Sequence, residues 1–396
     1  MVFIVAARRT PIGRFGGTLR DVHPAELGAV AVRAALADAG VDADRVDEVV
    51  IGHARQAGSG PNPGRQVGRR AGIPDRVPAH TVNKACASGM EAIAHGARAI
   101  ALGEADIVVA GGIESMSRMP YLIDAADARW GHKMGGFELV DAMYRDGFRC
   151  SLCDLLMGET AELLAREYGI SREASDGFAL QSFQKTLRAT ASGAFAGELA
   201  PVSGSGLKGH WTLLGDEHPR EDTTLESLAR LAPTFTLDGT PGIITAGSAS
   251  GITDGAAAVV LASERAVNAQ GLQPLARVSG WASAGVDPRR MGIGPVPAVQ
   301  KLLAQQNLTL DAFDLVELNE AFAPQVLAVL RDLPIPDSRL NVNGGAIALG
   351  HPIGATGTRI VVTLVHALKR HGLKRGLATL CVSGGMGMAM GVETVD

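Results

Sequence analysis

The sequence is short of three things, and each shortage excludes a class of protein. No apolar stretch approaches the roughly 20 residues that a membrane-spanning helix requires, so no membrane partner is expected. Neither sign of charge prevails: 37 Lys and Arg face 41 Asp and Glu, for a net charge of −4. Nucleic acid is therefore a poor partner, although a small anionic ligand could still meet a local cluster of arginines. Cysteine is scarce, with four in 396 residues, too few for a disulfide scaffold and in keeping with a reducing compartment. The first residues, "MVFIVAARRT", have too short an apolar run and the wrong charge order for a secretory signal, and "VETVD" at the other end matches no address tag. A cytoplasmic globular protein is expected. With 46% hydrophobic and 20% charged residues, the chain can bury a core large enough for two or three domains.

Glycine, by contrast, is plentiful: 50 residues, gathered in stretches such as "NGGAIALGHPIGATGTR" and "SGGMGMAMG". Such clusters occur where a chain turns tightly or lets a ligand approach its backbone. Elsewhere strand-like and helix-like runs alternate: "VFIVAA", "PAELGAVAVRAALADAG", "DEVVIG", a helix beginning near Cys86, then "ADIVVAGG". This order predicts a layered α/β fold. The pattern recurs. "AVQKLLAQQNLTLDAFDLVELNE" parallels "VRAALADAGVDADRVDEVVIG", and "RGLATLCVSGGMG" parallels "EADIVVAGGIES", about 270 positions later, far beyond the period of a solenoid. A duplicated domain is expected, with a site between its halves. Residues of roughly 120 to 250 lose the alternation and read as a large insertion or lid.

Four stretches carry candidate chemistry. Cys86, in "VNKACASGMEAI", falls at the start of a helix marked by Met90, Ile93, Ala94, Ala97 and Ala101, where free amides and the positive dipole end would favour a thiolate and receive an oxyanion. Asn319, in "LVELNEAFAPQ", ends an apolar strand-like run, the edge at which α/β proteins place ligands, and could hold a water or a substrate oxygen. His351 is kept out of a helix by Pro352, and Gly344, Gly345, Gly350, Gly354 and Gly357 should leave room for a ligand around it, which makes it a candidate base. The spacing of these glycines is not a dinucleotide fingerprint. Cys381, in "LATLCVSGGMG", precedes a glycine turn whose amides could form an anion nest; if this stretch matches "VVAGG" of the first half, both halves deliver a loop to one cleft.

"VNKACASGM", "NEAFA", "NVNGGAIALGHPIGATGTR" and "CVSGGMG", in this order, resemble the thiolase family of acetyl-CoA acetyltransferases and 3-ketoacyl-CoA thiolases, over essentially the whole chain. The resemblance implies a duplicated αβαβα five-layer α/β fold with an inserted loop domain. The halves would be residues 1–120, completed by 251–272, and 273–396, with 121–250 as the loop domain that binds coenzyme A. It also implies a ping-pong acyl transfer between coenzyme A thioesters, condensing two acetyl-CoA into acetoacetyl-CoA, with no permanently bound cofactor. By the same resemblance Cys86 is the acylated nucleophile, His351 its activator and Cys381 the acid/base at the α-carbon of the second substrate. Asn319 would hold a water that polarises one thioester oxygen, and the amides of Cys86 and Ser383 would cradle the other. Arg220, Ser227 and Phe235 would surround the adenosine part of coenzyme A, Ala246 and Ser250 its pantetheine, and Met157, Met291, Ala321 and Phe322 the acyl and pantetheine tunnel. A homodimer or homotetramer is implied, with "GHKMGGFELVDA" as a surface loop that helps join dimers.

The chain departs from the short-chain pattern at Leu156, where acetoacetyl-CoA-specific relatives often carry a histidine before the "MG". This leaves a broader 3-ketoacyl-CoA thiolase as the alternative. A cysteine hydrolase fits less well because of the second cysteine and the duplicated halves, and a thiolase-like binding protein without turnover because all four chemical positions are present. A ketoacyl synthase of the same superfamily would place a second histidine at Cys381. Cys150 and Cys153 form a CxxC pair, but no further zinc ligands follow at recognisable spacing, so no metal is expected.

Overall fold

The computed structural model describes residues 1–206 and 209–395. The first half comprises β1 (Val2–Arg9), α1 (Pro24–Ala39), β2 (Glu48–His53), α2 (Pro63–Arg70), β3 (Ala79–Val82), α3 (Ser88–Ala101) and β4 (Ile107–Ser115). A long excursion carrying α4 (Met157–Glu167) and α5 (Arg172–Ala191) follows, and β5 (Thr253–Ser263) then returns to the same sheet. The second half repeats the order with β6 (Ala276–Gly285), α6 (Pro295–Gln306), β7 (Leu315–Leu318), α7 (Ala323–Asp332), α8 (Ile353–His371), β8 (Arg375–Val382) and β9 (Met386–Thr394). Local chemistry sets the ends of these elements. Pro24 opens α1 where its missing N–H costs nothing, and Gly40 closes it with φ 64°, a conformation that glycine adopts without strain.

The strands run β7-β8-β9-β6-β1-β5-β4-β2-β3 in one sheet, with the two-residue strand Gly13–Arg14 attached to β5. Among the described residues, two strand-to-strand residue pairs, Phe3 with Arg277 and Ile4 with Ala276, join its halves. The side chains show how it folds. Alternate residues of β4 and β5, among them Val109 and Val260, face α1 and α2. Their neighbours Val108 and Val259 face α3 and α8, which also contact Leu380 and Met388 of the other half. The outer face of the second half, including Leu318 and Ala389, packs on α6 and α7. Five layers result, with α3 and α8 in the middle. Helix α8 is buried on nearly every side, and its buried positions include Thr356, Thr358, Arg359 and Thr363 beside the apolar residues. Ala101, expected on the buried stripe of α3, ends the helix on its exposed side.

The register corrects one sequence alignment. Glu48 pairs with Val108 as Leu315 pairs with Gly376, so "VVAGG" at 108–112 matches Gly376 to Leu380, and "CVSGG" begins one residue after that match ends. Gly111 and Gly112 therefore lie inside β4 and deliver no loop to a cleft. They serve close packing instead: a Cβ on Gly112 would overlap the carbonyl oxygen of Gly354 in α8, and one on Gly354 would overlap the carbonyl oxygen of Ile113. The glycines around His351 have the same role. Added side chains at Gly345, Gly350 and Gly357 would collide with Glu320, Thr253 and Met90, so these positions admit protein and not a ligand. Gly112→Ala is expected to destabilise the protein by about 2 kcal/mol or more, since backbone on backbone cannot yield as a side chain can. Urea denaturation checks this, and a loss below about 0.5 kcal/mol, the scale of an ordinary surface change, would show that the layers can separate.

Candidate active site

Cys86 stands on a sharp turn between β3 and α3. Ala85, just before it, has φ 45°, in the left-handed region that side-chain-bearing residues seldom occupy. Three hydrogen bonds hold it there: Ala85 N donates to Asn83 Oδ1 (2.9 Å), Ser88 Oγ donates to the Ala85 carbonyl (2.7 Å), and Lys84 N donates to Ser88 Oγ (2.8 Å). Such strain persists only where the surroundings over-determine it, and it gathers at functional sites. The helix itself begins at Ser88 with Ala87 as its cap, which leaves Cys86 outside the first turn. Burial raises the Cys86 thiol above its ordinary range, opposed by the Arg55 charge and by the backbone amides of Ser383 and Cys86. The amides favour the thiolate as the sequence suggested, but desolvation outweighs them and the net shift is upward.

His351 lies between the short helix Ala346–Leu349 and α8. Its Nδ1 is 2.7 Å from Thr356 Oγ1, and that hydroxyl donates its single proton to the Pro352 carbonyl (3.0 Å). Towards the imidazole Thr356 can then only accept, so Nδ1 carries the ring proton and Nε2 is the basic nitrogen. Burial, reinforced by the Arg359 and Arg55 charges, lowers the His351 pKa to about 3. Cys381 is fully buried near the end of β8. Burial pushes its thiol upward, and the neighbouring Cys86 adds to the effect. The arrangement is two protonated thiols and a neutral imidazole, with two backbone amides directed at the first sulfur. Such a set can move protons without separating charge in the resting state.

One cavity of about 490 Å³ collects these groups. It is lined by Cys86, His351, Cys381 and Ser383, by Met157, Met291, Ala321 and Phe322, and by Arg220, Phe235, Ala246 and Ser250. Met291, Ala321 and Cys381 form one apolar cluster with Met157 and Phe322, and the Phe235 and Phe322 rings meet edge to face at 6.1 Å. Two expected residues do not line it. Ser227 is exposed and caps its own short helix, its Oγ accepting from Thr224 N at 2.9 Å. Asn319, buried at the end of β7, has both amide atoms closed off without a partner, an arrangement that costs free energy unless a small polar molecule satisfies it. Cavity-lining groups not picked out from the sequence include Arg55, His218 and Phe148. Arg55 follows the carboxyl end of parallel strand β2, an edge where charged residues repay attention. The sequence signal for His218 is weaker, since it sits in an irregular loop, its Nδ1 2.9 Å from the Ala348 carbonyl. Cys150 and Cys153 are free thiols. Among the described residues no helix is long and apolar enough to cross a membrane.

Comparison with known proteins agrees with this geometry. Residues 2–265 match the family described as "Thiolase, N-terminal domain", and residues 272–394 match "Thiolase, C-terminal domain". The chain belongs to the thiolase family. This thiolase is 50% identical to an acetyl-CoA acetyltransferase of Pseudomonas aeruginosa over 98% of both chains. It is also 50% identical to a beta-ketoadipyl-CoA thiolase of the same organism, over 100% of this chain and 99% of the other. Its fold matches the crystal structure of the Bacillus anthracis acetyl-CoA acetyltransferase with a TM-score of 0.96 and 45% identity, covering 100% of this chain and 98% of that one. Human mitochondrial 3-ketoacyl-CoA thiolase in complex with CoA matches with a TM-score of 0.95 and 44% identity, again over 100% and 98%. As a member of this family the protein is an acyltransferase.

The low folded-state pKa of His351 has a thermodynamic consequence. Unfolded, the imidazole takes up a proton below its ordinary 6.5; folded, it does not until about 3. The unfolded chain therefore binds more protons between these values, and stability falls as pH drops through that window. His351→Asn is expected to lose about 1–2 kcal/mol less than the wild type on going from about pH 7 to about pH 5, measured by urea denaturation. Equal losses would show that the fold does not hold this imidazole neutral.

Proposed function

We propose that this thiolase carries out reversible Claisen condensation of two acetyl-CoA to acetoacetyl-CoA and free coenzyme A, through an acyl group held on Cys86. The observation that carries this reading is the meeting of Cys86, Cys381 and His351, with the Ser383 and Cys86 amides, at one cavity of apolar lining. His351 Nε2 takes the Cys86 proton as sulfur attacks the thioester carbonyl, and returns it to the departing coenzyme A thiolate. Nucleophile and leaving group are both thiols, so the exchange is nearly balanced and runs either way. Cys381 takes the α-proton of the second acetyl-CoA only while the enolate forms. Its high resting affinity for a proton suits it equally to protonating that carbon in the reverse direction. The Ser383 and Cys86 amides bear charge on the acyl oxygen, and Asn319, its amide unsatisfied, holds a water at the other oxygen.

Coenzyme A enters over the excursion between the halves, which we assign as a loop domain of residues 121–250, with 1–120 plus 251–272 and 273–396 as the thiolase halves. Arg220, exposed at the cavity, with Phe235, meets the adenosine part, and Ala246 and Ser250 meet the pantetheine. Ser227 contributes at most from the rim. Leu156 lines the cavity beside Met157 and favours, as a second reading, acyl groups longer than acetyl. The protein acts in the cytoplasm as a homodimer or homotetramer. On the loop "GHKMGGFELVDA" Met134, at 90% exposure, Phe137 and Leu139 are exposed apolar side chains, which suits this loop to joining dimers.

Cys86→Ala is expected to abolish the acetyl adduct seen by intact mass after acetyl-CoA treatment and to lower acetoacetyl-CoA cleavage by about 10³-fold or more. Undiminished turnover in this variant would sink the mechanism. Cys381→Ala is expected to retain the adduct while condensation falls about 10²- to 10⁴-fold, the usual worth of a general acid/base. Loss of the adduct itself would remove Cys381 from the proposed role.

A further inference from the structure

Glu114, at the carboxyl end of β4, is fully buried and stands behind the cavity wall rather than in it. Both of its oxygens are engaged by backbone at the edge of the site. Oε2 accepts the N–H of Gly354 at 2.9 Å and Oε1 that of Arg55 at 3.3 Å. His53 Nε2 also lies 3.1 Å from Oε1, without the alignment of a hydrogen bond. Gly354 belongs to the first turn of α8, a helix capped by Pro352, whose start has neither a capping side chain of its own nor an acidic residue. The carboxylate brought from β4 supplies what an N-cap residue supplies elsewhere: it satisfies a free amide and sets negative charge at the positive end of the dipole. The fit is close. A Cβ on Gly354 would stand 2.8 Å from Ala54 N and 3.0 Å from His53 Cα, so the start of α8 is wedged against the segment that follows β2.

From that segment the connection continues to the nucleophile. The Ala54 carbonyl accepts from Asn83 Nδ2 at 3.0 Å, and Asn83 Oδ1 accepts from Ala85 N at 2.9 Å, one of the three bonds that hold the left-handed turn before Cys86. At the other end, His351 is three residues before Gly354. Glu114 is thus the middle of a continuous path from the imidazole to the thiol, through the start of α8, residues 53 to 55, Asn83 and the Ala85 turn. Packing of α3 on α8 fixes how near the two helices lie, but apolar contact is non-directional. Hydrogen bonds are directional, and they set how the start of one helix stands against the start of the other.

We propose that Glu114 is a positioning residue for acyl transfer: by tying the first turn of α8 to the segment after β2, it keeps His351 in register with Cys86 when the thiol gives up its proton. The proposal rests on the reading above of Cys86 as the acylated thiol and His351 as its base. A purely electrostatic role would have the opposite sign, since the Glu114 charge raises the Cys86 thiol and its removal would ease deprotonation.

The test is a double-mutant cycle on the single-turnover rate of Cys86 acetylation by acetyl-CoA, read by rapid quench and intact mass in the wild type, Glu114→Gln, His351→Asn and the double variant. In Glu114→Gln a terminal NH2 meets one of the two N–H donors, so one link breaks while the shape is kept. The rate is expected to fall about 10-fold to 100-fold, the scale of a misplacement of about 1 Å, with the half-saturating acetyl-CoA concentration changed less than about twofold. In the His351→Asn background the same change is expected to cost less than about threefold, because no imidazole is left to misplace. Equal losses in both backgrounds overturn the proposal, since they would show Glu114 supporting Cys86 or the fold at large. So does a faster reaction in Glu114→Gln, the result of charge alone. Glu114→Asp keeps the charge one methylene short; it is expected to fall between wild type and Glu114→Gln, and it carries the same cycle if Glu114→Gln does not fold. A wild type that forms no acetyl adduct would instead remove the thiolase reading on which the proposal rests.

Discussion

The structure depends on direct contact between backbone and backbone where the two central helices meet the sheet. Gly112 of β4 lies against Gly354 of α8, Gly52 of β2 against the Ser88 carbonyl at the start of α3, and Gly357 against Met90. Because no side chains intervene, α3 and α8 approach each other and the strands closely enough for Cys86, before one helix, and His351, before the other, to open onto one cavity. A methyl group at any of these contacts would move a reacting group by a distance that chemistry does not forgive. The glycine abundance of the chain is in large part a requirement of this middle layer.

Close packing then sets the electrostatics. In the dry centre the charged form of each group is disfavoured, so both thiols stay protonated and the imidazole stays neutral. The hydrogen bond from His351 Nδ1 to Thr356, one turn into α8, fixes which nitrogen is basic. Proton positions are thus consequences of fold, burial and one hydroxyl. Arg55 also stands in the wall of this cavity, its guanidinium donating to the Gly147 carbonyl and its backbone N–H to Glu114.

Much of this was legible in the sequence, for reasons that differ by residue. The alternation of strand-like and helix-like runs gave the layered α/β class, and Pro24 and Gly40 marked the ends of α1 because their backbone preferences are local. Cys86, His351 and Cys381 stood out because thiols and imidazoles are rare and each sat beside a turn signal. The repeat was visible, but its second alignment slipped, since a Val-Ala-Gly-Gly stretch inside a strand and a Val-Ser-Gly-Gly turn after one look alike until strand pairing separates them.

By itself the sequence determined the fold class, the duplication, the family and the side chains available for chemistry, because these follow from periodicity, from turn residues and from motifs contiguous along the chain. Only the tertiary structure decided that the glycines near His351 accommodate protein rather than ligand, that Cys86 rests as a thiol outside the helix it precedes, that Ser227 stands apart from the cavity, and that Arg55 enters it. Each of those depends on what residues distant in the chain bring within a few ångströms. Desolvation and steric contact are properties of that neighbourhood, and no local pattern encodes them.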